Sequence, residues 1–345
     1  MDSVHTLRLL LDWKLIAMIS KIDRNDAEWT AIEKKEGRSL KHLKSVATVR
    51  SVGASTRIEG SKMSDQEVDV LLKNLTIDKI EDRDSQEVAG YFEVLDTISE
   101  SYEDIPIAES SIKSLHKLLL KYSEKDDWHK GRYKQSSNSV EASLPDGSKQ
   151  IIFQTAAPGI ETEEAMRSLI DWYHTDQVTP PLVKSSIFCY EFVTIHPFQD
   201  GNGRLSRLLS TLLLLKDGYK WIQYVSFEHE IENRKTEYYR TLRMCQAERP
   251  NEDVSSWVHF YFDALSNIQS QLKSKLEADG IQAQLSPKEK SILVLISDYP
   301  GVRSGEIAKR LDIPSPTVKR ILSMLTSKGQ IEKFGAGPGT NYAAI

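Results

Sequence analysis

A short segment in the second half of the chain combines residue types that suit phosphate chemistry. It reads His196-Pro197-Phe198-Gln199-Asp200-Gly201-Asn202-Gly203-Arg204. Gly201 and Gly203 allow backbone angles that other residues avoid, so successive N–H groups there can form an anion-binding concavity. Arg204 and Arg207 would share one face of the following helix, whose positive N-terminal end lies at the same point. Two guanidinium groups beside such a cradle fit a polyphosphate.

Two further side chains of this segment could act in a reaction. Asp200 offers the hard oxygen ligands that Mg²⁺ prefers when it bridges phosphates. His196 can accept a proton near neutral pH. Each feature alone is common, since a Gly-x-Gly is usually a plain turn and an arginine pair is usually a solvated face. Their combination in one short loop predicts a polyphosphate-binding catalytic site.

Two apolar helices should hold this loop in place. Residues 182–195 are apolar on most sides, which predicts a buried central helix, and residues 203–216 are again strongly apolar. Helical spacing also dominates the rest of the first 280 residues. Further amphipathic helices are predicted at 87–100, 109–122 and 161–174.

One stretch of the body departs from helical spacing. Residues 136–157 contain the turn signal Pro145-Asp146-Gly147, followed by the β-prone run Ile151-Ile152-Phe153. A Pro-Asp-Gly turn between extended runs predicts a β-hairpin. It is the one hairpin that we predict for the body of the chain.

The end of the chain differs from the body in charge and in pattern. Residues 286–345 carry a net charge of +4, whereas the remainder carries −9. Three predicted helices are followed by two extended runs, which is the order of a winged helix-turn-helix. These elements are expected at 287–298, 304–311, 315–328, 330–334 and 340–344. Lys319 and Arg320 lie on the expected recognition helix, so DNA binding is one hypothesis, and protein contacts or dimer assembly is the other.

At the loop, the sequence resembles the Fic family. The run from His196 to Arg204, followed by Arg207, fits the signature of that family at every defined position. The resemblance covers about residues 50–265. It implies a mainly α-helical protein with a Fic-type helical core and a β-hairpin flap, to which the winged helix-turn-helix is added. It also implies a nucleotidyltransferase that moves AMP from ATP to a Ser, Thr or Tyr hydroxyl of a target protein, or of itself, with Mg²⁺ or Mn²⁺.

The resemblance assigns roles to individual residues. His196 would be the general base, Asp200 would hold the metal ion, and Arg207 would bind the γ-phosphate. The residues expected to contact ATP are Asp200, Gly201, Asn202, Gly203, Arg204, Leu205, Arg207, Tyr238, Tyr239 and Gln246. The two tyrosines would pack on the adenine, although packing in the helical core is an alternative for at least one of them. The flap residues expected to dock the target chain by strand addition are Ile152, Phe153, Gln154 and Thr155.

A second part of the pattern leads into the flap. Gly131-Arg132-Tyr133-Lys134 stands where the family has a Gly-x-x-Arg element. Lys134 therefore replaces the usual arginine. The hairpin that follows at 137–157 is expected to be the flap.

A third segment resembles the inhibitory motif of the family. In Ser55-Thr56-Arg57-Ile58-Glu59-Gly60 the matching positions are Ser55, Glu59 and Gly60. A carboxylate on Glu59 could pair with Arg207 and so occupy the partner of the γ-phosphate. We therefore expect an autoinhibited enzyme with low resting activity.

The resemblance and the charge boundary together predict four segments. They are an N-terminal helical region with the inhibitory motif (1–105), a Fic catalytic core (106–277), a linker (278–285) and a winged-helix domain (286–345). The family also suggests a homodimer. Two alternative functions are the removal of AMP, with Glu59 orienting water, and a nucleotide-sensing DNA-binding regulator.

Composition restricts the remaining possibilities. The formal net charge of −5 argues against a whole-chain nucleic-acid or membrane-surface binder. Cys189 and Cys245 lie in apolar helical stretches and are expected to be buried free thiols. The sequence shows neither a secretory signal nor an apolar run long enough to span a bilayer, so we expect a cytoplasmic protein without a membrane partner.

Overall fold

The computed structural model describes residues 7–33, 37–75, 80, 82–143, 149–283, 286–335 and 337–344. The chain divides into two compact units, residues 1–272 and residues 273–345. Both are mainly helical, as predicted. No helix in the described ranges is long and apolar enough to cross a membrane.

The first unit is a helical body with one hairpin. Its helices are α1 (Trp13–Glu33), α2 (Gly37–Ile58), α3 (Asp65–Lys73), α4 (Arg83–Ser101), α5 (Glu109–Leu119), α6 (Ile160–Thr175), α7 (Pro181–Ile195), α8 (Asn202–Lys216), α9 (Phe227–Asn233), α10 (Lys235–Gln246) and the first part of α11 (Ser255–Ala283). Short 3₁₀ helices span Tyr102–Asp104, Glu124–Asp126 and Lys220–Tyr224. The amphipathic helices predicted from spacing are therefore present.

Two buried helices form the centre of this unit and position the loop. In α7, every residue from Leu182 to Ile195 except Lys184 is buried, which confirms the predicted central helix. Proline at the first position of α7 suits its start, because the missing N–H would have no helical partner there. Helix α8 packs against α7. The loop between them is therefore held at both ends by buried helices.

The hairpin is present at the predicted place. Strand β1 (Ser139–Ser143) pairs antiparallel with β2 (Lys149–Gln154), and the register shifts between Val140 and Glu141. A bulge of this kind bends a strand and increases its twist. The turn predicted at Pro145-Asp146-Gly147 lies outside the described residues.

The second unit has the element order of a winged helix. It contains α12 (Pro287–Asp298), β3 (Val302–Arg303), α13 (Ser304–Leu311), α14 (Ser315–Ser327), β4 (Ile331–Phe334), a 3₁₀ turn (Gly337–Gly339) and β5 (Asn341–Ala344). The sheet order is β3-β5-β4, with both pairs antiparallel. Its core includes Ile292, Ile307, Val318, Leu322 and Ile331. Strand β3 escaped the sequence analysis because two residues are too short for a periodic signal.

The predicted linker is helical over most of its length. Residues 278–283 are the end of α11, and residues 284–285 lie outside the described part. Helix α11 contains no proline and a single glycine, Gly280, and one glycine is tolerated inside a helix. The predicted linker therefore overlaps the end of α11 over residues 278–283. The predicted domain boundaries remain predictions.

Candidate active site

The loop begins at a residue with an unusual backbone. Helix α7 ends at His196, whose φ of 55° and ψ of 58° lie in the left-handed region. A non-glycine residue pays a conformational cost there, and such strain tends to occur at functional sites.

The hydrogen bonds of His196 select its tautomer. Nδ1 lies 3.1 Å from the carbonyl oxygen of Val193, which can only accept, so Nδ1 carries the proton. Nε2 is then left with a lone pair. Burial lowers the pKa of His196, more than its hydrogen bond to Val193 raises it. The ring is therefore neutral near neutral pH and can act as a base.

The middle of the loop is held by Asn202. Its Oδ1 accepts from the Phe198 N–H at 2.9 Å, and its Nδ2 donates to the Phe198 carbonyl at 2.8 Å. Gly201 has a φ of 78°, and its N–H donates to Oδ1 of Asp200 at 2.6 Å. Asn202 was expected to contact phosphate, but both polar ends of its side chain bind the loop itself. It therefore maintains the shape of the cradle.

Arg204 is buried beside this cradle with unpaired donors. Its side chain is 2% exposed and lies 3.4 Å from Glu87 and 3.5 Å from Asp200. Neither Nε nor NH1 makes a hydrogen bond to any of the described residues. A buried donor without an acceptor is costly, and a guanidinium prefers phosphate or carboxylate oxygens. The unpaired donors therefore fit an anion.

Arg207 is buried too, but its donors are engaged. Nε donates to the Ser55 hydroxyl at 2.8 Å, and NH2 donates to the Ser55 carbonyl at 3.1 Å and to Oε1 of Glu59 at 2.8 Å. Burial alone would raise the pKa of the Glu59 carboxyl, but the charge and hydrogen bond of Arg207 hold that pKa below its usual range. The predicted pairing of Glu59 with Arg207 is thus present, across 148 positions of the chain.

Gly203 lets Glu59 enter the site. A Cβ atom at position 203 would lie 2.4 Å from Oε1 of Glu59, a distance that real Cβ atoms do not show. Gly60, which follows Glu59, has a φ of 111° and ends the helical segment. The two glycines therefore place the carboxylate against the start of α8.

A second set of contacts holds the inhibitory segment, and the sequence analysis missed it. Arg57 makes a bidentate pair with Glu232 at 2.7 and 3.0 Å, and a further ion pair with Asp65 at 2.9 Å. The Lys235 ammonium donates to the Ile58 carbonyl at 2.7 Å. These contacts fix the end of α2 against α9 and α10. Glu59, the next residue, is positioned by them.

His116 is another site residue that the sequence analysis missed. Its Nδ1 accepts from the Gly131 N–H at 2.9 Å, so Nε2 carries the proton and donates to the Asp200 carbonyl at 3.0 Å. The ring stacks on Phe198 with centroids 3.8 Å apart. Burial lowers the pKa of His116 to about 4, which keeps the ring neutral. Its position among the apolar residues of α5, beside Ile112, was the signal that could have revealed it.

The expected adenine-binding residues lie on α10, with different environments. Tyr238 is buried against Trp257 and Phe260, with centroids 5.5 and 5.8 Å away, so the core-packing alternative describes it. Tyr239 is half-buried. Gln246 is buried and donates to the Thr194 hydroxyl at 3.0 Å.

Leu205 is fully buried, and its N–H donates to the Gly201 carbonyl at 2.9 Å, so its contacts are those of helix packing. Three of the flap residues, Phe153, Gln154 and Thr155, border a cleft of about 390 Å³ next to the end of α7. Phe153 is half-buried, Gln154 is exposed and Thr155 is buried. Ile152 lies in β2.

The metal-binding capacity of the site is limited to Asp200. Within the described ranges, no group of three or more His, Cys, Asp and Glu side chains is arranged to hold a metal ion. The Asp200 side chain is 44% exposed. Magnesium bound with nucleotides commonly uses one or two carboxylates and completes its shell with phosphate oxygens and water. Asp200 therefore fits an ion that arrives with a nucleotide.

The chain is similar to known proteins over the region that contains this loop. A profile of the Fic/DOC family matches residues 106–214, and a profile of winged helix-turn-helix DNA-binding domains matches residues 285–332. Two similar sequences are both named protein adenylyltransferase Fic. The one from Drosophila grimshawi is 25% identical and covers 82% of this chain and 56% of the relative. The one from Drosophila mojavensis is 26% identical and covers 71% and 45%. This chain spans about half the length of these relatives.

Solved structures share the fold. A Fic family protein from Desulfovibrio desulfuricans superposes with a TM-score of 0.63 at 24% identity, over 97% of each chain. A Fic domain containing signaling protein from Bacteroides thetaiotaomicron gives 0.59 at 23% identity, over 72% of this chain and 94% of the other. At such identities the likeness shows the fold alone.

Proposed function

We propose that this chain, in which residues 106–214 form a Fic/DOC family domain, is a protein adenylyltransferase that moves AMP from ATP to protein hydroxyl groups, including its own. One observation carries the proposal. A neutral histidine with a free Nε2 begins the same loop that ends at a buried arginine with unpaired donors. A proton acceptor and an anion site joined by a glycine cradle suit attack of a hydroxyl on a phosphate.

Each protein group in this reaction has a distinct task. Nε2 of His196 takes the proton of the target Ser, Thr or Tyr hydroxyl, and the oxygen bonds to the α-phosphorus as pyrophosphate leaves. Arg204 and the N–H groups after Gly201 stabilise the phosphate charge, which supplies most of the catalysis in such transfers. A magnesium ion, when bound, would neutralise charge on the phosphates, and Asp200 would hold it.

The pairing of Glu59 with Arg207 supports autoinhibition as part of the proposal. Nε and NH2 of Arg207 donate to Ser55 and Glu59, so NH2 cannot also serve a bidentate contact with a γ-phosphate while Glu59 is in place. The Glu59 carboxylate also places negative charge where a phosphate would enter. We therefore infer that the resting enzyme is slow and that displacement of Glu59 activates it.

A label on different phosphates of ATP tests the proposed reaction. The purified full-length chain carrying Glu59→Gly is mixed with Mg²⁺, cell lysate and ATP labelled on either the α- or the γ-phosphorus. Only the α-label should appear on protein, and His196→Ala in the same background should show none. Labelling from the γ-phosphorus alone would indicate a kinase. Loss of pre-attached AMP without any transfer would favour AMP removal.

The second unit supports a separate proposal, which is DNA binding. The matched profile describes DNA-binding winged helices, and both Lys319 and Arg320 are exposed on α14. Binding of duplex DNA by the full chain should weaken steeply with added salt, because phosphate contacts release counterions. Lys319→Ala with Arg320→Ala should reduce that salt slope, with Lys288→Ala as the control. Absence of binding at low salt would favour a protein partner.

A further inference from the structure

A buried ammonium group joins the flap to the catalytic loop. Lys134 is 2% exposed, and its Nζ donates to Oδ1 of Asn138 at 2.8 Å, to the Thr155 hydroxyl at 2.8 Å and to the Ile195 carbonyl at 3.3 Å. All three acceptors are neutral. No carboxylate in the described part of the chain forms an ion pair with Lys134. Its positive charge is therefore buried without an ion-pair partner, although the Glu161 carboxylate favours the charged form from a longer distance.

Burial of the Lys134 ammonium is energetically unfavourable, which suggests that the charge has a function. Burying an ammonium without an opposite charge disfavours the charged form, and burial lowers the pKa of Lys134 to about 8. An apolar side chain of similar length would fill the same space without this cost. Near neutral pH the ammonium is still mostly charged. The charge therefore acts electrostatically on the groups around it.

Lys134 contacts the backbone on both sides of His196. The Lys134 side chain binds the carbonyl of Ile195, the residue before His196, and its backbone N–H donates to the carbonyl of Pro197, the residue after it, at 2.8 Å. Lys134 therefore binds the backbone of both chain neighbours of His196.

The same residue holds both ends of the flap. Asn138, just before β1, donates from Nδ2 to the Phe198 carbonyl at 2.8 Å. Thr155, just after β2, donates from its hydroxyl to the Asn138 carbonyl at 2.6 Å. Lys134 accordingly connects the entry and the exit of the hairpin to the loop. A displacement of the flap would have to break these contacts.

Resting on the proposed role of His196 as the base, we propose that Lys134 is a positioning residue that fixes the flap against the catalytic loop and that its buried charge acts on the protonation of His196. The charged groups that act on this ring are Lys134, which opposes protonation, and Glu59 and Asp200, which favour it. Removal of the lysine charge removes the contribution that opposes protonation of the ring. The pKa of His196 then rises.

Direct titration of His196 tests the electrostatic part without any activity. The imidazole nitrogens of the ¹⁵N-histidine-labelled full chain are followed by NMR against pH, with His196→Ala identifying the signal. Lys134→Met should raise the pKa of His196 by about one pH unit, whereas Lys134→Arg should leave it near that of the parent. Lys134→Gln serves as a second uncharged variant in case Lys134→Met does not fold. An unchanged His196 pKa in a folded uncharged variant overturns the proposal.

Thr155→Val is the matched control for the positioning part. It removes one anchor of the flap with almost no change of shape and keeps the lysine charge. In the Glu59→Gly background it should raise KM for the target protein and leave the acid limb of the pH profile in place. Lys134→Met should raise KM and also move that limb to higher pH, with transfer slowed at pH 6 by up to about sevenfold. If no variant transfers AMP, the proposed function fails, and the titration still decides the role of Lys134.

Discussion

Two arginines of one helix, three residues apart, are in opposite states. Arg204 and Arg207 are both buried at the start of α8, and both have side chains 2% exposed. Arg204 has unpaired donors, whereas Arg207 has its donors engaged by Ser55 and Glu59. The difference indicates an anion site of which one half is open and the other half is occupied by the protein itself.

Several contacts of the protein hold Glu59 in the occupied half. The Glu59 carboxylate reaches Arg207 because Gly203 leaves room for it and because Arg57 fixes the end of α2. In the open half, Arg204 forms ion pairs with Glu87 and Asp200 at 3.4 and 3.5 Å, but its Nε and NH1 make no hydrogen bond among the described residues. A nucleotide should therefore meet Arg204 first and compete with Glu59 for Arg207.

The largest effect on AMP transfer is expected from substitution of His196, the proposed base. His196→Ala should lower AMP transfer by about 10²- to 10⁴-fold, since general base catalysis contributes about this much. ATP binding, measured by calorimetry, should change little because the arginines are intact. Transfer at the parental rate would mean that another group takes the proton.

Removal of divalent cations should have the next largest effect. An ion that neutralises phosphate charge supplies several kcal/mol in related reactions, so excess EDTA should slow transfer by about 10²- to 10³-fold. Addition of Mg²⁺ or Mn²⁺ should restore the rate. Asp200→Asn should weaken the response to metal. Undiminished transfer in EDTA would remove Asp200 from the role of metal ligand.

Matched substitutions of the two arginines compare the halves directly. Arg204→Lys keeps a charge for Glu87 and Asp200 but loses the unpaired donors, so ATP affinity should fall about tenfold, as expected for charge-assisted hydrogen bonds. Arg207→Lys should change affinity much less while Glu59 is present. In the Glu59→Gly background the two effects should become similar. Equal losses in the parent chain would show that Arg207 already binds nucleotide.

The smallest effect concerns pH. Burial lowers the pKa of His196 from its usual value of 6.5, so the base stays unprotonated at lower pH than an exposed histidine. The acid limb of kcat/KM should therefore have its midpoint below 6.5. A midpoint above 6.5 would mean that the neighbouring carboxylates outweigh burial.

Sequence alone predicted the local parts of this site better than the distant ones. The loop from His196 to Arg204 is contiguous, so its residue types reveal its chemistry, and the flanking helices follow from apolar spacing. The pairing of Glu59 with Arg207 could be expected only through the resemblance to a family. Contacts of His116 and Lys134 depend on how helices and hairpin pack, which no local pattern encodes.

Two of the predicted ATP contacts remain predictions, although the side chain of each residue already has partners within the protein. Tyr238 has the residue type expected of an adenine contact, yet its ring lies in the aromatic core beside Trp257. Asn202 belongs to the loop motif, yet its side chain binds Phe198. A motif identifies which residues gather at a site, whereas the division of tasks among them requires coordinates.

The most direct test of the account is the rate of AMP transfer after Glu59→Gly. Release of Arg207 should raise self-modification and target modification about five- to 150-fold, the range of typical coupling between sites. Glu59→Gly combined with Arg207→Ala should lose this gain, and Glu59→Asp should stay partly inhibited because its carboxylate is one methylene shorter. A rate of transfer in folded Glu59→Gly that equals or falls below that of the parent would contradict inhibition by Glu59.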